Sequence, residues 1–309
     1  MHPVDALRLN FNPDQLAVLH LAMAFLMFAV SLDVYLADFR SVIRFPKSVM
    51  LGIVVQYLIF PLITLGIIAL FRPPVSMALG MVLVSMCPSG NMTNFLAHYA
   101  GGNIALSVTL NGILILSAAG LTPAGFWFWS SFLEAGRAML AGLEIRLADM
   151  VVIILQLIVL PLALGMLLRY RAPELVNRWR SGVQRAALLV FFGVLVMALM
   201  GNLSNIRAYL GFAFVIVLVH NATALALGYG LGRAFRLPEA DCRTLSFESG
   251  VHNTALGLLL IFRFFDGLGG MALIAAWYGI WDLITGYLLA RFWRSRPPAL
   301  PRQAGAIQQ

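Results

Sequence analysis

Two short stretches hold the residues able to do chemistry. The first, SMCPSGNMTNFLAHYAGGN, sets Ser89, Asn91, Thr93 and Asn94 within six residues, just after Pro88 and around Gly90. The second, LSFESGVHNTALGLLL, sets the carboxylate of Glu248 ahead of Gly250, His252, Asn253 and Thr254. A carboxylate, amides and hydroxyls, joined by backbone carbonyls released where a helix unwinds, supply the several oxygens that Na⁺ needs at once. The N–H groups and partial positive charge of a helix that restarts after a break suit an anionic group. Gln56, Ser107 and Asn111 stand near these stretches, and Ser107 and Asn111, four residues apart, share one helix face. Gln56 alone reads equally well as a helix–helix hydrogen bond.

The elements that must position these groups lie in a bilayer. The chain is 61% hydrophobic and 11% charged, with a mean hydropathy of +0.89, whereas soluble domains run near 45–50% apolar and about 25% charged. So much apolar surface exceeds what a water-facing fold hides. A polytopic membrane protein follows, and soluble enzymes, nucleic-acid readers and disulfide scaffolds are excluded. The net charge of +8 comes from 20 Arg and a single Lys spread between apolar blocks, not from a basic domain. Cys87 and Cys242 form no ligand-spaced pair. The first 20 residues include Asp5, Asp14 and two prolines, which does not read as a cleavable leader.

A helical span takes about 20 mostly apolar residues. Nine blocks qualify, at 16–34, 47–70, 75–99, 103–124, 147–169, 182–201, 208–232, 242–263 and 268–291. The stretch 126–149 holds Trp127, Trp129 and five charged residues, and is expected as an interfacial helix and loop with an aromatic anchor. With the N-terminus outside and the C-terminus inside, 15 of the 21 basic residues fall on inner segments and 6 on outer ones. That is the direction of the positive-inside rule, and a tenth span at 126–145 would scramble it.

Spans 3 and 8 do not read as simple helices. In span 3, Pro88 removes a backbone donor and Gly90 permits unusual dihedrals amid four polar side chains. One reading is a proline kink with hydroxyls bonded back to the preceding turn; the density of polar groups favours a discontinuous binding segment. In span 8, Glu248 reads either as a partner for a buried polar group or as part of an ion or substrate pathway, the default for an intramembrane acid. Each of these spans is followed by one more span in its half of the chain. Paired interruptions in corresponding positions mark an inverted-repeat secondary transporter.

These residues resemble the bile acid:sodium symporter family, in its nine-span form with a shortened N-terminus. The matching stretches are GIVVQYLIFPL (52–62), CPSGNMTNFLAHYAGGNIALSVTLNG (87–112), VVIILQLIVLPLALG (151–165), LVHNATALALGYGLG (218–232) and ESGVHNTALG (248–257), within a similarity covering about residues 20–292. The resemblance implies an all-α inverted-repeat transporter in which a core domain moves against a panel domain. The core would be spans 2, 3, 4, 7, 8 and 9, with spans 3 and 8 broken and crossing; the panel would be spans 1, 5 and 6. It further implies a first sodium site at Thr93, Asn94, Ser107, Asn111 and Glu248. A second site would use Gln56, Glu248, a carbonyl near Val251, and the residue at His252. Substrate contacts are implied at Asn91 and Asn253, with Asp282 in the substrate vicinity.

Three departures from the family pattern matter. The Asn111 position usually carries a hydroxyl. The family's glutamine one turn after the acid is His252 here, and a neutral imidazole offers one ring acceptor and no oxygen. A proton in place of the second sodium is therefore an alternative, carried by Glu248 and His252. Asp282 stands where bacterial bile-acid-binding members have a histidine; it reads either as a charge paired to another helix or as a group beside the substrate. His220 and Asn221 read as packing or supporting groups, and Asp33 as interfacial.

No nucleophile–base pair or metal triad points to an enzyme. A non-transporting membrane sensor on the same fold is the other class; it would be expected to lose part of the ion shell or to carry a signalling domain, and neither is read here. The expected substrate is a monovalent organic anion such as a bile acid, a sulfated steroid or a small keto or hydroxy acid. Lean loops and Arg-rich, Lys-poor basic residues point to a bacterial inner membrane.

Overall fold

In a computed structural model the described residues are 2–8, 13–32, 45–90, 92–141, 147–200 and 209–296. Asn91 and Asp33, singled out in the sequence, lie outside them. The fold among these residues is α-helical. Among the described residues four helices are long and apolar enough to cross a membrane: Pro46–Phe71, Ile104–Ser130, Leu210–Ala234 and Gly269–Arg294. Each has at least 25 residues, which at about 1.5 Å per residue exceeds the roughly 30 Å of bilayer hydrocarbon. Shorter apolar helices include Val75–Met86 and Thr254–Phe264. This is an all-α polytopic membrane fold.

Several boundaries differ from the sequence reading. The helix expected to end at 124 runs to Ser130 and carries Trp127 and Trp129; the first charge arrives only at Glu134, so nothing forces an earlier stop. A separate short helix, Glu134–Ala141, follows. The helix expected from 182 starts at Pro173, which suits a first helical position because its missing N–H would have no partner there. The segments 75–99 and 242–263 are each two helices: Val75–Met86 with Met92–Tyr99, and Glu239–Gly250 with Thr254–Phe264.

One local device occurs twice. The stretches Val54–Leu62 and Ile154–Leu162 both place a Gln five residues before a Pro. In both, a π-helical turn precedes the proline, over Val55–Ile59 and Leu155–Val159. Proline has no N–H and crowds the carbonyl four residues back. The wider turn relieves this, with Phe60 N–H donating to Val55 O and Leu160 N–H to Leu155 O. The first of these turns holds Gln56 buried inside the protein.

Helix ends collect at two opposite faces. At one, Lys47 Nζ donates to Phe235 O at 2.7 Å, and Arg243 donates to Ala100 O, Trp293 O and Arg296 O. Asp241 there accepts from Ser48 Oγ and Asn103 Nδ2. At the other, Asp5 accepts from Ser76 N and Oγ, Gly269 N donates to Leu7 O, and Arg8 pairs with Asp266 at 3.5 Å. A cavity of about 1000 Å³ opens at this second face among His2, Phe71, Arg72, Met139, Tyr209 and Phe212.

Helices meet closely where side chains are small, as membrane packing favours. Leu210–Ala234 lies against Glu239–Gly250 so tightly that a Cβ on Gly228 would sit 2.3 Å from Leu245 O. The obstacle is backbone and cannot rotate away. Gly228→Ala is expected to destabilise the detergent-purified protein by about 1–3 kcal/mol, read as a lower thermal midpoint than for Gly230→Ala, where the added Cβ meets nothing.

Candidate functional site

The two interrupted segments face each other. Val75–Met86 stops because Cys87 turns extended (φ −70°, ψ 140°) and Pro88 follows. Glu239–Gly250 stops where Val251 turns extended (φ −114°, ψ 106°). The two extended stretches pair antiparallel: Gly90 N donates to Val251 O at 2.9 Å, and Asn253 N to Pro88 O at 2.8 Å. Backbone groups released by each break are thus satisfied by the other, as a low-dielectric interior requires. Gly90 permits the approach, since a Cβ there would lie 3.3 Å from His252 O.

Glu248 sits on the last turn before the second break, and only 2% of it is exposed. Ser89 Oγ, from the first break, donates to Oε2 at 2.6 Å. Ser107 Oγ lies 2.6 Å from Oε1 and 2.8 Å from Asn94 Oδ1, so its one proton serves either acceptor in turn. Ser107 belongs to the helix Ile104–Ser130, whose start is capped by Asn103 Oδ1 accepting from Leu106 N. One turn further, Asn111 Nδ2 donates to Gly90 O at 3.0 Å and approaches Thr93 Oγ1 at 3.3 Å. Thr93 Oγ1 in turn donates to Gly90 O at 2.8 Å. Among the described residues no Lys or Arg forms a salt bridge with Glu248.

Thr93, Asn94, Ser107, Asn111 and Glu248 therefore come together around one carboxylate. The set is rich in oxygen: two carboxylate oxygens, hydroxyls, a carboxamide oxygen and the Gly90 carbonyl. Oxygen donors suit a hard cation. Among the described residues no group of three or more His, Cys, Asp or Glu side chains forms the kind of site a softer metal takes.

Gln56 and Val251 also contact these breaks, and His252 lies on the second of them. Gln56 Nε2 donates to Cys87 O at 2.6 Å and Ser85 O at 3.0 Å, which leaves its buried Oε1 without a partner among the described residues. His252 is 4% exposed, and neither ring nitrogen has a hydrogen-bond partner among the described residues. It stacks on Phe60 at 5.3 Å, while His220 stacks on Phe60 at 4.6 Å. Asn253 caps the helix Thr254–Phe264, its Oδ1 accepting from Leu256 N, and its amide reaches Met27 Sδ at 3.9 Å. Asp282, 1% exposed, accepts from His252 N at 3.1 Å.

A sequence profile of the sodium bile acid symporter family matches residues 20–209, well over half of the 309-residue chain. The chain belongs to this family. Among its relatives is an uncharacterized sodium-dependent transporter of Bacillus subtilis, 25% identical over 284 residues, which cover 92% of this chain and 84% of the relative. Two probable chloroplastic sodium/metabolite cotransporters of rice are each 30% identical and match 89% of this chain. The matched regions amount to 63% and 66% of those longer rice proteins.

Thr285 was not singled out from the sequence, and Ser89 and Asn221 were named there without their partners. Ser89 was visible as polar at mid-membrane depth, but its bond to Glu248 spans 159 residues. Asn221 donates to Gly250 O at 2.7 Å, and Thr285 donates to Asn221 Oδ1 at 2.7 Å. Their sequence signal is a polar residue within an otherwise apolar helix, which does not specify a partner.

Proposed function

We propose that this chain is a secondary active transporter coupling Na⁺ to the symport of an organic anion by alternating access. The observation that carries the reading is the buried Glu248 carboxylate, bonded to Ser89 of one break and Ser107 of a neighbouring helix, with oxygens converging and no basic partner among the described residues. Such a group is stabilised as an anion by a mobile cation in place of a fixed one. Family membership and relatives described as sodium-dependent or sodium/metabolite transporters support the same reading.

In this mechanism Na⁺ binds among Thr93, Asn94, Ser107, Asn111 and Glu248. Gln56, Glu248, the Val251 carbonyl and His252 form a second position. Cation binding neutralises Glu248 and knits the two breaks together. The anion then binds nearby, with Asn91, Asn253 and Asp282 flanking it. A panel of spans 16–34, 147–169 and 182–201 and a core of the other six then shift past each other. The packing of helix Pro13–Ser31 chiefly on Leu160–Arg171 and Pro173–Met200 supports that grouping. With nine spans, the N-terminus outside and a bacterial inner membrane as the setting, an inside-negative potential drives cation entry at about 2.3 kcal/mol per charge per 100 mV. The substrate class is a monovalent organic anion, and the chain is a carrier rather than an enzyme.

A second reading replaces one sodium by a proton. The buried His252 ring with two unpartnered nitrogens favours it, because imidazole accepts a proton more readily than it ligates sodium. Both readings are tested on the purified protein by following thermal stability while NaCl is titrated against choline chloride, at pH 5.5 and 8. Sodium at 100 times its dissociation constant is expected to add about 2.7 kcal/mol of stability. A pH transition without a sodium response selects the proton reading. Indifference to both overturns the carrier assignment in favour of a sensor.

A further inference from the structure

Each break is held by a carboxamide from another helix, and the two carboxamides are not used alike. At the first break Gln56 donates to the Ser85 and Cys87 carbonyls, and its Oε1 stays unpartnered. At the second, Asn221 Nδ2 donates to Gly250 O at 2.7 Å, and its Oδ1 lies 2.7 Å from Thr285 Oγ1, whose one proton it shares with Trp281 O at 2.9 Å and Asp282 O at 3.3 Å; Asn221 Oδ1 is the nearest of the three acceptors. The Gly250 carbonyl can only accept, so the amide orientation of Asn221 is fixed by chemistry as well as by Thr285. On the far side of Val251, the His252 N–H is taken by Asp282, three residues before Thr285 on the helix Gly269–Arg294.

We propose that Asn221, oriented by Thr285, is a positioning residue that sets cation affinity without touching the cation. Gly250 is two residues after Glu248, and its carbonyl is one that the helix end releases. Fixing that carbonyl fixes the last helical turn, and hence the direction in which the Glu248 carboxylate meets Ser89 and Ser107. Asn221 Oδ1 is turned to the Thr285 hydroxyl and its Nδ2 to Gly250 O, so this amide faces the brace on both sides. Gln56 keeps a buried oxygen with no partner among the described residues. The two breaks thus divide the work: one amide braces with its oxygen unengaged, and the other braces with its oxygen held by Thr285.

This inference rests on the sodium reading above, and its test separates the two. Thr285 is half-buried, and Thr285→Val keeps its shape while removing the hydroxyl that orients Asn221. Sodium titrations of thermal stability are run on wild type, Thr285→Val and Thr285→Ser. The expected result is a rise of about five- to tenfold in half-saturating sodium for the valine variant, the size of one lost buried hydrogen bond. The maximal stabilisation is retained, and the serine variant, which keeps the hydroxyl, returns to the wild-type value. An unchanged half-saturation in Thr285→Val, or a serine variant as weak as valine, overturns the inference while leaving sodium binding in place. A wild-type protein without a sodium response overturns both.

Discussion

Replacing Glu248 by glutamine is expected to abolish sodium-dependent stabilisation and to lower sodium-driven uptake by two to three orders of magnitude. The substitution keeps the size and polarity of the side chain but exchanges one acceptor oxygen for an amide donor and removes the one charge that compensates a bound cation. Breaking a buried ion pair by removing one partner costs about 3–5 kcal/mol, and each 1.4 kcal/mol is tenfold in affinity. The apo protein is not expected to suffer in proportion. The glutamine oxygen still accepts from Ser89, while its amide nitrogen can donate to Ser107, whose own proton then goes to Asn94 Oδ1; an uncharged amide is also easier to bury than an unpaired carboxylate. Glu248→Gln should therefore match or exceed wild-type stability in choline and fall below it in sodium. Glu248→Asp retains the charge but withdraws it by one methylene from two hydroxyls now at 2.6 Å, so weakened rather than absent sodium stabilisation is expected. A glutamine variant that still responds to sodium as wild type does would remove Glu248 from the cation site.

Much of this site was legible in the sequence because membrane interiors penalise polar residues. In water, Thr93, Asn94, Ser107 and Asn111 would be unremarkable; among apolar spans each needs a reason. The i, i+4 spacing of Ser107 and Asn111 survives in the structure as two contacts one turn apart, to Glu248 and to Gly90. Pro88 and Gly90 announced an interruption without saying what would face it. The antiparallel pairing of Gly90 with Val251 joins backbones 161 residues apart, and no local pattern encodes it. Asn221 shows the same limit. A lone Asn in an apolar helix is compatible with packing, ligation or bracing, and only its contact with Gly250 O distinguishes them. Helix ends were the least legible feature. Aromatic residues such as Trp127 and Trp129 are at home in a helix and at an interface alike, so the end at Ser130 had no sharp signal before Glu134.

His252→Gln is the second substitution with a large expected effect, and its sign is opposite. The imidazole is buried against Phe60 and Tyr278 with both nitrogens unpartnered, whereas a glutamine there brings a carboxamide oxygen. Gln56 Oε1 is buried and unpartnered too, and Val251 O has a second lone pair beyond its bond to Gly90 N. Three oxygens would then stand near the second break in addition to Glu248. The expected outcome is tighter sodium binding by about tenfold, the scale of one good polar contact to a charge, with binding curves steepening toward two ions. Loss of the aromatic ring opposes this through weaker packing on Phe60, so stability in choline should fall even as the response to sodium grows. Sodium titrations at pH 8 separate the two effects, since one reads the midpoint of the response and the other its starting level. If the glutamine variant instead loses its sodium response, the imidazole itself is needed for cation binding, and a carboxamide oxygen does not complete the second position.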